Sequence, residues 1–143
     1  MVKNVNRYTS NEFHDWQREN LPGRFVIQDI DTWTIVVSDS EKDYAPLFMV
    51  ELKRSYIGVN SWKPFEADKP NYLALFKLSE KSKLDLLVIY FKKGQTIMDE
   101  TKIAIFKILN VNDSMNWITY KKKIITAMEF KNGFPDILTT GFP

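Results

Sequence analysis

Between Leu84 and Phe91 a single polar residue, Asp85, interrupts an otherwise apolar run. An element that is apolar at consecutive positions cannot turn one side to water. At this length it reads as a strand covered on both faces. Such a strand needs a layer on either side of its sheet, so the rest of the chain must supply helices as well as further strands.

The N-terminal segment has helical spacing. Ser10 or Asn11 offers a cap, Phe13, Trp16 and Gln17 fall on one side as a buried face, and Leu21-Pro22-Gly23 ends the helix. Arg24 to Val37 is rich in β-branched and aromatic residues and predicts one long strand or two in succession. Ser38 to Asp43 turns the chain, and Leu47 to Lys53 is the hairpin partner. Ser55 to Pro70 is irregular, holding Gly58, Asn60, Pro64 and Pro70. Leu73, Phe76 and Glu80 mark a helix over roughly Pro70 to Lys81, where a proline in the first turn costs no hydrogen bond. Ile103 to Leu109 is a further strand. From Ile118 to Phe130 apolar residues alternate with mostly polar ones, broken at Lys122, which favours strand over a helix capped by Ser114. Asn132-Gly133 signals a turn, and residues 131–143 read as a C-terminal arm. The order helix, strand, strand, helix, strand, strand predicts an α/β fold, one domain over residues 1–143.

Composition removes several chemistries. Cysteine is absent, which excludes disulfides, zinc–thiolate sites and thiol nucleophiles, and His14 alone cannot build a multi-histidine metal centre. The 143 residues carry a net charge of +2, so affinity for a polyanion must come from local clustering of lysines. No apolar run approaches the ~18–20 residues of a membrane span, and Met1-Val2-Lys3-Asn4 does not begin a secretory signal. The expectation is a soluble cytoplasmic protein, in a host's cytoplasm if the chain is viral.

Two acidic positions interrupt strands that otherwise want burial. The two-residue period places Asp29, Asp31, Trp33, Ile35 and Val37 on one face, and Met49, Glu51 and Lys53 together on the next strand. An ionised carboxylate continuing an apolar stripe is costly unless a cation or several donors satisfy it. If the two strands pair, Asp31 and Glu51 meet at one sheet edge. Two converging carboxylates suit a hard divalent ion such as magnesium, which offsets charge developing on a phosphate. Lys53, about 6.8 Å beyond Glu51 on the same side, supplies an ammonium to the same place. Taken alone, Glu-x-Lys on a strand face is also a common surface ion pair of little energetic consequence.

With Asp29-Ile30-Asp31-Thr32-Trp33 followed after a hairpin by Glu51-Leu52-Lys53, the chain resembles the PD-(D/E)XK nuclease superfamily. The resemblance spans the first helix to about Leu109. It implies a restriction-endonuclease-like core, a central mixed β-sheet flanked by helices, and magnesium-dependent cleavage of phosphodiester bonds, usually in DNA, with manganese as a substitute. On that likeness Asp31 and Glu51 bind metal and Lys53 is the catalytic lysine. An acid from the first helix often joins them; Glu12 matches best and Glu19 second. The family's proline before the aspartate is missing, since Ile30 precedes Asp31 and Gln28 precedes Asp29, and Asp29 remains a rival metal ligand. The second helix does not carry the glutamine–tyrosine pair of the RecB-like branch, of which Asn71-Tyr72 is only a partial echo.

Lys63, Lys69, Lys92, Lys93 and Lys121-Lys122-Lys123 are candidates for phosphate contact, and Trp62 for stacking on an unpaired base, although a core-packing role suits that tryptophan better. The small size of the chain suggests a homodimer, with Phe134-Pro135 and Phe142-Pro143 in an apolar arm. The competing function is a non-catalytic nucleic-acid-binding or interaction domain on the same scaffold, and a third is a structural protein with a partly buried Asp-Glu-Lys network.

Overall fold

The computed structural model describes residues 7–22, 32–38, 43–94 and 96–133. Along the chain these are α1 (Arg7–Asn20), β1 (Thr32–Ser38), β2 (Asp43–Ser55), a 3-10 turn (Glu66–Asp68), α2 (Lys69–Ser82), β3 (Asp85–Lys92), β4 (Lys102–Val111), β5 (Ile118–Thr126) and α3 (Ala127–Gly133). The strands form one mixed sheet in the order β1-β2-β3-β4-β5. The β2–β3 pair is parallel and the other pairs are antiparallel. A parallel neighbour cannot be reached by a tight turn, and α2 is the crossover that reaches it. The expected β1–β2 hairpin is present, with Thr32 opposite Val50.

The apolar run of β3 behaves as its pattern demands. Leu86, Val88 and Tyr90 face one core, shared with Met49, Ala104 and Phe106 and covered by Tyr72 and Leu75 of α2. Leu87 faces a second core with Phe48, Val50, Ile103, Ile105 and Ile125, against which Phe130 of α3 packs. Each such side chain contributes about 1.5–3 kcal/mol on full burial. With both faces covered, β3 anchors the sheet, and β2 is paired on both sides between β1 and β3.

Several details differ from the sequence expectation. α1 begins before Ser10, and its Phe13 and Trp16 stack on each other at 5.9 Å while staying more than half exposed, so the expected buried face is absent. The buried stripe of α2 is Tyr72, Leu75 and Ser79. Leu73 and Phe76 flank it half-buried and Glu80 is exposed, because a helix buries about a third of its surface and α2 turns to the sheet the stripe one residue before the expected one. The stretch from Ile118 to Phe130 is a strand only to Thr126 and a helix thereafter. α3 extends to Gly133, so residues 131–133 of the expected arm belong to a helix, and residues 134–143 lie outside the described residues.

Trp62 is a core residue and not a stacking platform. It is 2% exposed, lies flat on Tyr90 with centroids 4.4 Å apart, and meets Phe106 edge-on at 5.3 Å. Lys122 explains the broken alternation of β5. Its Nζ stands over the Phe106 ring, 5.2 Å from the centroid, and donates to the carbonyls of Asn60 at 3.2 Å and Trp62 at 3.3 Å. Burial holds that ammonium below the usual lysine range.

Candidate active site

Strand alternation in β2 sends Met49, Glu51 and Lys53 to the face that α2 covers. Met49 is in the core; two residues on, Glu51 stands opposite Val88, and Lys53 stands opposite Tyr90. Glu51 is 9% exposed and is the buried charged side chain among the described residues. A carboxylate held so far from water needs a cation. Lys53 provides one, with Nζ 3.5 Å from Glu51 Oε1.

A second acid reaches the same ammonium. Asp68 Oδ2 is also 3.5 Å from Lys53 Nζ. Asp68 holds the N-cap position of α2, where an aspartate ordinarily accepts a hydrogen bond from the first turn; this one makes no side-chain cap bond. Pro70 in that turn also removes one of the amides that such a cap could serve. Both contacts exceed the ~2.7–2.9 Å of tight charge-assisted hydrogen bonds, so the ammonium is shared between two carboxylates and locked to neither.

Tyr72, one turn beyond Asp68, closes the group from below. Its ring centroid is 5.6 Å from Lys53 Nζ, and its side chain is 1% exposed. Its hydroxyl has no hydrogen-bond partner among the described residues. Burial first, then the negative charges of Asp68 and Glu51, push the phenol well above its usual pKa, so it stays protonated. A buried hydroxyl without a partner costs about 1–3 kcal/mol.

Of the residues expected from sequence, the structure brings Glu51 and Lys53 together. Asp29 and Asp31 lie outside the described residues; Thr32, directly after Asp31, pairs with Val50, directly before Glu51. Glu12 and Glu19 are exposed on α1, and no hydrogen bond or ion pair among the described residues joins them to this group. Asp68 and Tyr72 were not anticipated: the N-terminal edge of α2 was legible, but its approach to β2 depends on the crossover. Among the described residues no set of three histidine, cysteine or acidic side chains is close enough to hold a metal ion. Magnesium is commonly held by one or two carboxylates, with waters and phosphate oxygens completing the shell, and the carboxylate of Glu51 is an oxygen donor of that kind.

Of the candidate phosphate-contacting lysines, Lys69 is engaged by Asp113 at 3.0 Å and Glu66 at 3.8 Å, and Lys122 is spent on the two carbonyls. Lys92 and Lys102, with Asn60, Ser61 and Thr101, line an open cleft of about 910 Å³. Ser55, two residues past Lys53 on the same face of β2, pairs with Lys92. No helix among the described residues is long and apolar enough to cross a membrane. The chain matches no known family model, no curated protein and no solved structure.

Proposed function

We propose that this chain is a magnesium-dependent nuclease of the PD-(D/E)XK, restriction-endonuclease-like type, hydrolysing phosphodiester bonds, with DNA as the first substrate to test. The observation that carries the reading is Glu51, a buried carboxylate on an internal strand, sharing its face and a 3.5 Å contact with Lys53. The arrangement around it supports the same reading: the hairpin's first strand begins directly after Asp31, and β3 returns parallel to β2 through α2.

In this account Glu51 and Asp31 would hold the ion, with Asp29 the alternative to Asp31. Bound there, magnesium would supply positive charge to the phosphate and to the oxygen that attacks it. Lys53 contributes the protein's own cation to the negative charge that builds on the phosphate as the bond breaks. The wall of Tyr72 and the Met49–Val88 core keeps the inner side of Glu51 dry, which strengthens these interactions. Lys92 and Lys102, which line the open cleft, would offer cations for phosphate contact.

The test is incubation of the purified chain with plasmid, linear duplex, branched and single-stranded DNA, and with RNA, with and without magnesium. Cleavage is expected with magnesium or manganese, absent in chelator, and lost in Asp31→Ala, Glu51→Ala and Lys53→Ala. Cleavage retained by all three variants overturns the reading. The contacts of Lys53 to both Glu51 and Asp68 favour one competing account, a partly buried ion network that serves only the fold. That account predicts no divalent-ion dependence of any kind.

A further inference from the structure

We propose that Tyr56 is a stacking platform for an unpaired base, and that with the lysines of the neighbouring cleft it selects single-stranded DNA over duplex. The inference starts from the nuclease reading and deepens it by naming the form of strand the chain takes. Tyr56 is 72% exposed. A lone exposed tyrosine is ordinary on a protein surface, so the argument lies in how this ring is held and in what surrounds it.

The ring is fixed before any ligand arrives. Gly94, at a φ of +91°, comes so close that a Cβ there would stand 3.5 Å from Cε1 of the ring. Lys93 Nζ lies over the ring, 5.5 Å from its centroid, in a cation–π placement. The backbone that follows is tied to the sheet and to itself. The Tyr90 hydroxyl donates to the Ile57 carbonyl, and the Ile57 amide donates to Ser55 Oγ at 3.2 Å. The amides of Ser61 and Trp62 both donate to the Gly58 carbonyl, at 3.0 and 3.1 Å. A platform ordered in advance loses little conformational freedom when a base settles on it.

The surroundings suit a polyanion. Residues 58–61, which begin two positions after Tyr56, and Lys92, directly before Lys93, line the open cleft of about 910 Å³. Its lining holds two lysines, Lys92 and Lys102, against one acid, Glu100. Among the described residues no ion pair engages Lys92, Lys93 or Lys102, whereas Lys69 is held by Asp113 and Glu66. An open aromatic face beside unpaired cations is the combination that binds a single strand: the bases stack and the phosphates meet the amines. Inside a duplex the base faces are already stacked on one another, so the ring gains a partner only from an unpaired strand. Tyr56 directly follows the end of β2, about 10 Å along the chain from Lys53, which sets the stacked base next to the candidate active site.

The probe is a labelled oligothymidylate of about 16 nucleotides, set against a duplex of equal length, with binding to the full chain read by fluorescence anisotropy in chelator so that no cleavage intervenes. Wild type, Tyr56→Ala, Tyr56→Phe and the double variant Lys92→Met/Lys102→Met are compared, each with a thermal melt to establish folding. Wild type is expected to prefer the single strand. Tyr56→Ala weakens single-strand binding about tenfold and leaves duplex binding unchanged, while Tyr56→Phe keeps the wild-type affinity. The lysine double variant weakens both and flattens their dependence on salt. Wild type that binds duplex as tightly as single strand, or binds neither, overturns the inference. So does a Tyr56→Ala variant that loses nothing, or loses equally on both. The nuclease reading is scored apart, by magnesium-dependent cleavage: strand binding of the expected pattern without cleavage overturns that reading and leaves Tyr56 its role, and cleavage without single-strand preference does the reverse.

Discussion

Tyr72 buries a hydroxyl that bonds to nothing among the described residues, near the charges of Asp68 and Glu51. Removing that oxygen should relieve a cost, so Tyr72→Phe is expected to stabilise the fold by about 1 kcal/mol at neutral pH. For a chain of this size that is a rise of about 2–4 °C in melting temperature. The pH dependence follows from the raised pKa. Above its ordinary value of 10.0 the unfolded tyrosine releases its proton while the folded one keeps it. The unfolded state then binds fewer protons, so stability falls as pH rises through the alkaline range, and the contribution is fully present below that value. Tyr72→Phe removes this decline, which denaturant melts from pH 8 to pH 11 would measure. At this scale the sequence was half legible. Glu51 and Lys53 declared themselves by interrupting an apolar alternation, which is a local signal. Asp68 carried none, since an acid before a helix reads as a cap, and only its lack of a cap bond reveals another use.

Single elements show why some boundaries could be read and others could not. β3 was unambiguous because burial on both faces leaves one interpretation of an apolar run. The Ile118–Phe130 stretch was ambiguous because it is two elements, and the apolar residues Ile124, Met128 and Phe130 fall on alternate positions by coincidence across the junction. The stop signal was present in Thr126-Ala127-Met128-Glu129, a capping box. The Glu129 amide donates to Thr126 Oγ1 at 3.1 Å, and the Thr126 amide donates to Glu129 Oε1 at 3.2 Å. Thr126→Ala should therefore cost about 1 kcal/mol and loosen α3, releasing Phe130 from the second core. A melt gives the energy, and amide exchange in residues 127–133 shows whether the loss is local. Exchange unchanged in α3 would contradict the assignment of the cap. α1 fell short of its pattern for a different reason: two aromatics three residues apart satisfy each other by stacking, and the face they make stays exposed.

For the molecule as a whole, the mixed sheet and its two cores follow from β3 outward, and the parallel step from β2 to β3 brings the start of α2 over Glu51 and Lys53. That placement is a property of the topology, which is why the sequence disclosed two members of the group and the fold supplied the others. It also makes the two accounts of the group separable. A buried ion network that serves stability loses about 3–5 kcal/mol when one partner is removed, because a charge is left uncompensated. A carboxylate kept for chemistry behaves otherwise, since Lys53 retains Asp68 and a buried acid is replaced by a neutral group of the same shape. The decisive measurement is Glu51→Gln, assayed side by side for magnesium-dependent cleavage of DNA and for melting temperature. The account predicts that cleavage disappears while the melting temperature holds or rises; cleavage at the wild-type rate, or a variant that melts many degrees lower, would contradict it.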